Sequence, residues 1–163
     1  MKMNKPVKAL CIAGTILGTA YTAFFFGKKT EQKKIVQLTK EKEKFYQMFR
    51  FMDDWMNKKI KGNKVEEYLL KKNYRNIAIY GMSYIGQTLI NELEDSEICI
   101  KYGIDQNSEI YWDLFPIVAP QEMTDDIDAV IVTALSFYDG VKNTLQGKIN
   151  CPIISLEEIV DAL

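Results

Sequence analysis

An α/β fold with a parallel sheet of about five strands is the architecture the sequence predicts for residues 64–163, on two observations. From Asn76 onward, short runs rich in β-formers alternate with segments of helical period, so strand and helix follow each other along the chain. The second observation is a glycine-spaced hexapeptide, Gly81-Met82-Ser83-Tyr84-Ile85-Gly86, set between the first such run and the first such helix.

The elements divide the chain into four parts. Residues 1–8 are a basic N-terminus with Lys2, Lys5 and Lys8. Ala9 to Gly27 carries no charge, and as a helix at 1.5 Å per residue it spans about 28 Å, close to a bilayer's hydrocarbon thickness. A secretory signal peptide is the rival reading, with Gly18-Thr19-Ala20 as its cleavage site. The apolar run nevertheless continues through Ala23, Phe24, Phe25 and Phe26, which favours an uncleaved transmembrane anchor. Lysines are denser after the segment than before it, so the following domain is expected on the cytoplasmic side of the inner (cytoplasmic) membrane, as a single-pass arrangement.

Residues 28–63 read as a basic amphipathic connector helix. Ile35, Leu38, Phe45, Phe49, Met52 and Met56 recur at alternating steps of three and four, with Lys42 in the missing place, and Gly62-Asn63 breaks the helix. Two readings of this stripe stay open. Phe45 through Met56, with Trp55 beside them, pack as an extra core helix on the following domain, or residues 35–56 form a coiled coil with a second copy or a partner enzyme. Val65, Tyr68 and Leu69 then suggest a short helix.

Within the domain, strands are expected at Ile77 to Tyr80, Ile98 to Ile104, near Pro116 to Val118, at Ala129 to Thr133 and at Pro152 to Ile154. Helices are expected at Tyr84 to Leu93, Tyr138 to Leu145 and Leu156 to Leu163, the last opened by a capping box of Ser155 and Glu158.

Charge is split sharply. Residues 1–72 hold 17 Lys/Arg and 7 Asp/Glu, whereas residues 73–163 hold 4 and 15. A domain this acidic repels phosphate backbones, so nucleic acid is not its expected partner, while the basic half suits an anionic membrane surface. Cys11, Cys99 and Cys151 lie in apolar stretches and read as small buried residues of a reducing compartment. With no histidine in the chain, Ser-His-Asp and Cys-His catalysis are excluded, and no metal site is expected.

The hexapeptide matches the spacing of a Rossmann-like dinucleotide fingerprint, in which the first glycine turns the chain, the second admits a pyrophosphate and the third lets helix and strand approach. Ser83 stands at the second glycine position, where its Cβ narrows the approach and its hydroxyl offers a donor. Asp105, about 20 residues beyond the loop, is placed to accept from ribose hydroxyls. Gln106 and Asn107 supply no cation for a 2′-phosphate, so of the dinucleotides NAD is preferred. Expected ligand-binding residues are therefore Gly81, Met82, Ser83, Tyr84, Ile85, Gly86 and Asp105. Thr133, Ser136 and Tyr138 are expected as polar groups at the carboxyl edge of the sheet. The competing reading gives the glycines to turn and packing alone.

No catalytic residue is assigned. Tyr138 and Lys142 have the Tyr-x-x-x-Lys spacing of short-chain dehydrogenases, but they follow the strand ending at Thr133 too closely, and Tyr68 with Lys72 repeats the spacing elsewhere. Asp125, Asp126 and Asp128 read as solvated loop residues rather than a Mg²⁺ site. Tyr111 and Trp112 could stack on a base or sugar, or serve in packing.

Taken together, Tyr74 to Gly86, Asn91-Glu92-Leu93, Tyr102 to Asp105, Asp128 to Thr133 and Ile154 to Glu158 resemble a family of small bacterial Rossmann-like domains found beside or within proteins of capsule and cell-surface polysaccharide synthesis. These are similar to the sugar-nucleotide-binding N-terminal domain of bacterial sugar acyltransferases and to the nucleotide-binding part of sugar epimerases. The resemblance covers about residues 64–163. It implies a nucleotide or nucleotide-sugar ligand, and a place near membrane glycan assembly. Ser83 departs from the family's usual glycine, and the acyltransferase β-helix is not in the sequence, so the resemblance implies binding rather than a reaction.

Overall fold

The computed structural model describes residues 5–106, 115–124 and 126–163, with side chains described from Glu31 onward among them. The chain divides into two compact units, Met1–Tyr46 and Gln47–Leu163. A single helix, α1 (Lys5–Ile60, 56 residues), begins in the first and ends in the second. The expected anchor at residues 9–27 falls on side chains outside those described. Among the described residues no helix is long and apolar enough to cross a membrane.

The second unit is an α/β domain. After α1 come α2 (Val65–Lys71), β1 (Asn76–Tyr80), α3 (Tyr84–Leu93), β2 (Cys99–Ile104), β3 (Ile117–Val118), β4 (Ala129–Val132), α4 (Tyr138–Leu145), β5 (Ile153–Ser155) and α5 (Leu156–Asp161). All strand pairs are parallel, in the order β3-β2-β1-β4-β5, which is the Rossmann-like order. The chain leaves β1 to one side through β2 and β3 and to the other through β4 and β5. The β1–β4 boundary is therefore the topological switch point.

Strand alternation builds two cores. Ile77 and Ile79 of β1, Ala129 and Ile131 of β4 and Ile154 of β5 meet α2, α3, α5 and the end of α1 on one face. Ala78, Tyr80, Tyr102, Ile104, Val130 and Val132 meet Val141 and Leu145 of α4 on the other. Helices on both faces explain why β1 and β4 read as continuous apolar runs.

The connector does pack on the domain between residues 45 and 56, but through other side chains than the heptad stripe. The side of α1 that meets the domain is Met48, Phe51, Met52 and Trp55, with Phe51 and Trp55 buried and their rings 5.6 Å apart. Most of the expected stripe stays exposed, Met52 being the shared member. The end of α1 is also held by polar contacts. Lys58 Nζ donates to the Val160 carbonyl, and Lys59 pairs at 3.2 Å with Glu92, whose other oxygen accepts the Val65 N–H at 3.0 Å and so caps α2. Two smaller expectations change as well. Cys99 is exposed, because the odd positions at the start of β2 face outward, and Cys151 is half-buried. Ser155 caps α5 through the Glu157 N–H, one residue earlier than a capping box requires.

Candidate functional site

The loop Gly81 to Ser83 leaves β1 at the switch point and enters α3, the place where open α/β sheets leave a crevice for ligands. Gly81 has φ +100°, a conformation that only glycine adopts readily, and its N–H donates to the Ile104 carbonyl at 2.9 Å. A Cβ on Gly86 would collide with the Gly81 carbonyl oxygen, a backbone atom that cannot step aside. Gly86 thus lets the first turn of α3 sit directly on the loop, as the third glycine of the fingerprint does.

Two side chains fix the loop from either side. Thr133, at the end of β4 and 1% exposed, directs its hydroxyl at the Gly81 carbonyl at 2.6 Å, with the Tyr80 carbonyl at 3.1 Å. Asp105, just past β2, accepts the Met82 N–H at 3.0 Å through Oδ2. Met82 turns inward against Gly103, and Ile85 joins the core.

The structure therefore sorts the expected site residues. Gly81, Met82, Ile85, Gly86 and Thr133 build and hold the loop. Thr133 was expected to face a ligand, yet it is buried and committed to the loop carbonyls. Ser83 and Tyr84 are exposed at the start of α3. Ser83 sits in extended backbone at the N-cap with no capping bond from its side chain, so its hydroxyl is open, and its Cβ costs no strain. The amides of Ser83 and Tyr84 find no acceptor among the described residues. Two N–H groups, a hydroxyl and the positive end of a ten-residue helix thus lie together at the start of α3, a set of groups suited to a phosphate or carboxylate.

Ser136 and Tyr138 lie elsewhere. They line a cleft of about 650 Å³ beyond β4 and β5 together with Leu135, Ser155, Asp139, Glu157, Glu158 and Asp161. Four carboxylates and no cation in that lining repel an anionic ligand. The sequence reading missed this cleft because its acidic residues come from two helices far apart in the chain. The Tyr138 hydroxyl donates to the Ile153 carbonyl at 3.0 Å and so holds α4 to β5, while Lys142 lies 5.4 Å from the Tyr138 ring centroid. Asp128 works at the opposite edge of the sheet. The Asn76 N–H at 2.7 Å, the Arg75 N–H at 2.9 Å and the Asn76 amide hold its carboxyl below the usual carboxylate range and tie β4 to the start of β1. Asn107, Tyr111, Trp112 and Asp125 lie outside the described residues.

Comparison with protein-family models, with curated proteins and with solved structures finds no match to this chain.

Proposed function

We propose that this chain is a membrane-anchored accessory protein whose Rossmann-like domain binds a nucleotide or nucleotide-sugar at the Gly81 to Gly86 loop, in the service of cell-surface polysaccharide biosynthesis. The observation that carries the reading is the open N-terminus of α3, with the Ser83 and Tyr84 amides free at the switch point of a sheet in Rossmann-like order. No cation stands in residues 81–86 or 104–106, so binding rests on backbone N–H groups and the helix dipole, which suits a ligand held at modest affinity. Asp105 fixes the loop through the Met82 N–H, and it stands where the dinucleotide fingerprint places the carboxylate that meets ribose hydroxyls. The pathway rests on the family resemblance alone. The anchor rests on the uncharged run Ala9 to Gly27 within α1, and the cytoplasmic placement on the lysines that follow it.

A second reading is a non-catalytic interaction module whose loop is vestigial. It is favoured by the way Asp105 and Thr133 satisfy the loop from within. An NAD-dependent oxidoreductase or epimerase-like activity has less support, because the Tyr138 hydroxyl is spent on a backbone carbonyl.

The test is a thermal-shift screen of the full chain in detergent against UDP-, GDP- and CMP-sugars, NAD and NADP. Ser83→Asp is the control, since aspartate is a good N-cap that preserves α3 while placing a negative charge where a phosphate would sit. A dose-dependent rise with one ligand class that Ser83→Asp abolishes supports binding at the loop. No rise with any ligand moves the assignment to the interaction module.

A further inference from the structure

The exposed side of α1 follows a regular pattern. In the first unit Ile35, Leu38 and Phe45 are exposed, and in the second Phe49, Met56 and Ile60, with exposures from 55% at Met56 to 76% at Ile60. Residues of this size, at this spacing on one helix, are costly to leave in water. Within the second unit the domain leaves Phe49, Met56 and Ile60 uncovered, because it takes Met48, Phe51 and Trp55, which lie on an adjacent side of the helix, and shares Met52.

The sequence keeps one seven-residue register through both units. Ile35, Lys42, Phe49 and Met56 fall at the first core position and Leu38, Phe45 and Met52 at the second. Lys42 is the one charged residue among these seven, and Glu41 immediately precedes it. In a parallel pair of helices in register, the residue before a first core position flanks that position on the partner. Each Lys42 then meets the Glu41 of the other copy, twice by symmetry. A single lysine at such a position also selects an in-register alignment, at some cost in stability. None of the other flanking positions from residue 32 to 53 brings like charges together in this alignment: Lys34 meets Thr39, Glu41 meets Tyr46 and Met48 meets Asp53. Met48 and Trp55, which hold the domain, fall on the same flank, so a two-fold axis along the helices carries the two domains to opposite sides.

We propose that the stripe from Ile35 to Met56 is the seam of a parallel, in-register homodimer, with a second copy of this chain as its occupant and the Glu41–Lys42 pairs setting the alignment. This assignment is independent of the nucleotide reading, since it uses none of the loop residues.

The test uses the full chain in detergent. Wild-type protein is expected to run as a dimer by light scattering at micromolar concentration, and Phe45→Glu with Phe49→Glu is expected to run as a monomer with an unchanged domain Tm, because neither side chain joins the core. In a background of Cys11→Ser, Cys99→Ser and Cys151→Ser, Phe45→Cys should crosslink to itself at least about tenfold faster than Lys40→Cys, which lies on the far side of the helix. Lys42→Glu should weaken self-association about tenfold through its two symmetric contacts, and adding Glu41→Lys should restore it. A monomeric wild type, a dimer that survives Phe45→Glu with Phe49→Glu, equal crosslinking at both cysteines, or no rescue by the double exchange would each overturn the proposal.

Discussion

Gly86 and Thr133 illustrate how single residues set the loop. Gly86→Ala forces a Cβ into the Gly81 carbonyl, and moving backbone to make room is expected to cost about 2–4 kcal/mol, read as a fall in urea midpoint. Thr133→Val removes a donor from a loop carbonyl and should cost about 1–2 kcal/mol by the same measurement. Both positions were legible in part. The glycine spacing identified the loop, and its placement after a strand identified the turn. The role of Thr133 was not legible, because its partner Gly81 is 52 residues away in sequence and only the parallel β1–β4 pairing brings them together. Asp128 was hidden for the same reason, its work being done on the N–H groups of Arg75 and Asn76. Its carboxyl is held below the unfolded value of about 3.9, so its contribution is fully present above that pH and is lost as pH falls through the lower folded value. Asp128→Asn should therefore flatten the acid limb of stability against pH below about pH 4, in denaturation curves taken from pH 2 to 7.

At the scale of elements, alternation and capping signals placed the strands and the longer domain helices within a residue or two, because each strand is short, apolar and bounded by turn residues. The face that α1 presents to the domain was not legible. Heptad spacing marks apolar residues without saying which neighbour covers them, and α1 carries two apolar sides, one taken by the domain and one left open. Trp55 anchors the first. Its indole N–H is buried with no acceptor among the described residues, so the ring contributes through packing. Trp55→Ala should cost about 3–5 kcal/mol, whereas Trp55→Phe, which removes the unpaired donor, should cost well under half of that. Parallel urea melts of the two variants distinguish packing from hydrogen bonding.

For the whole molecule, the division of charge is the feature that composition alone made visible. An acidic α/β domain follows a strongly basic helix. The acidic cleft beyond β4 and β5 is the local expression of that surplus, and its four carboxylates disfavour an anion there. The basic helix is the part that would meet an anionic bilayer, so the full chain should stay with membranes through alkaline carbonate extraction, while removal of residues 1–27 should release it. In the proposed function the open amides at the start of α3 receive the anionic part of a nucleotide or nucleotide-sugar. That contact is tested most directly by titrating ¹⁵N-labelled protein with the ligand class that raises Tm and following the backbone amides. Ser83 and Tyr84 are expected to shift first and furthest in a saturable way, and Ser83→Asp to abolish the shifts. Shifts confined to Ser136, Glu157 and Glu158 in the acidic cleft, or no saturable shift at Ser83 and Tyr84, would contradict it.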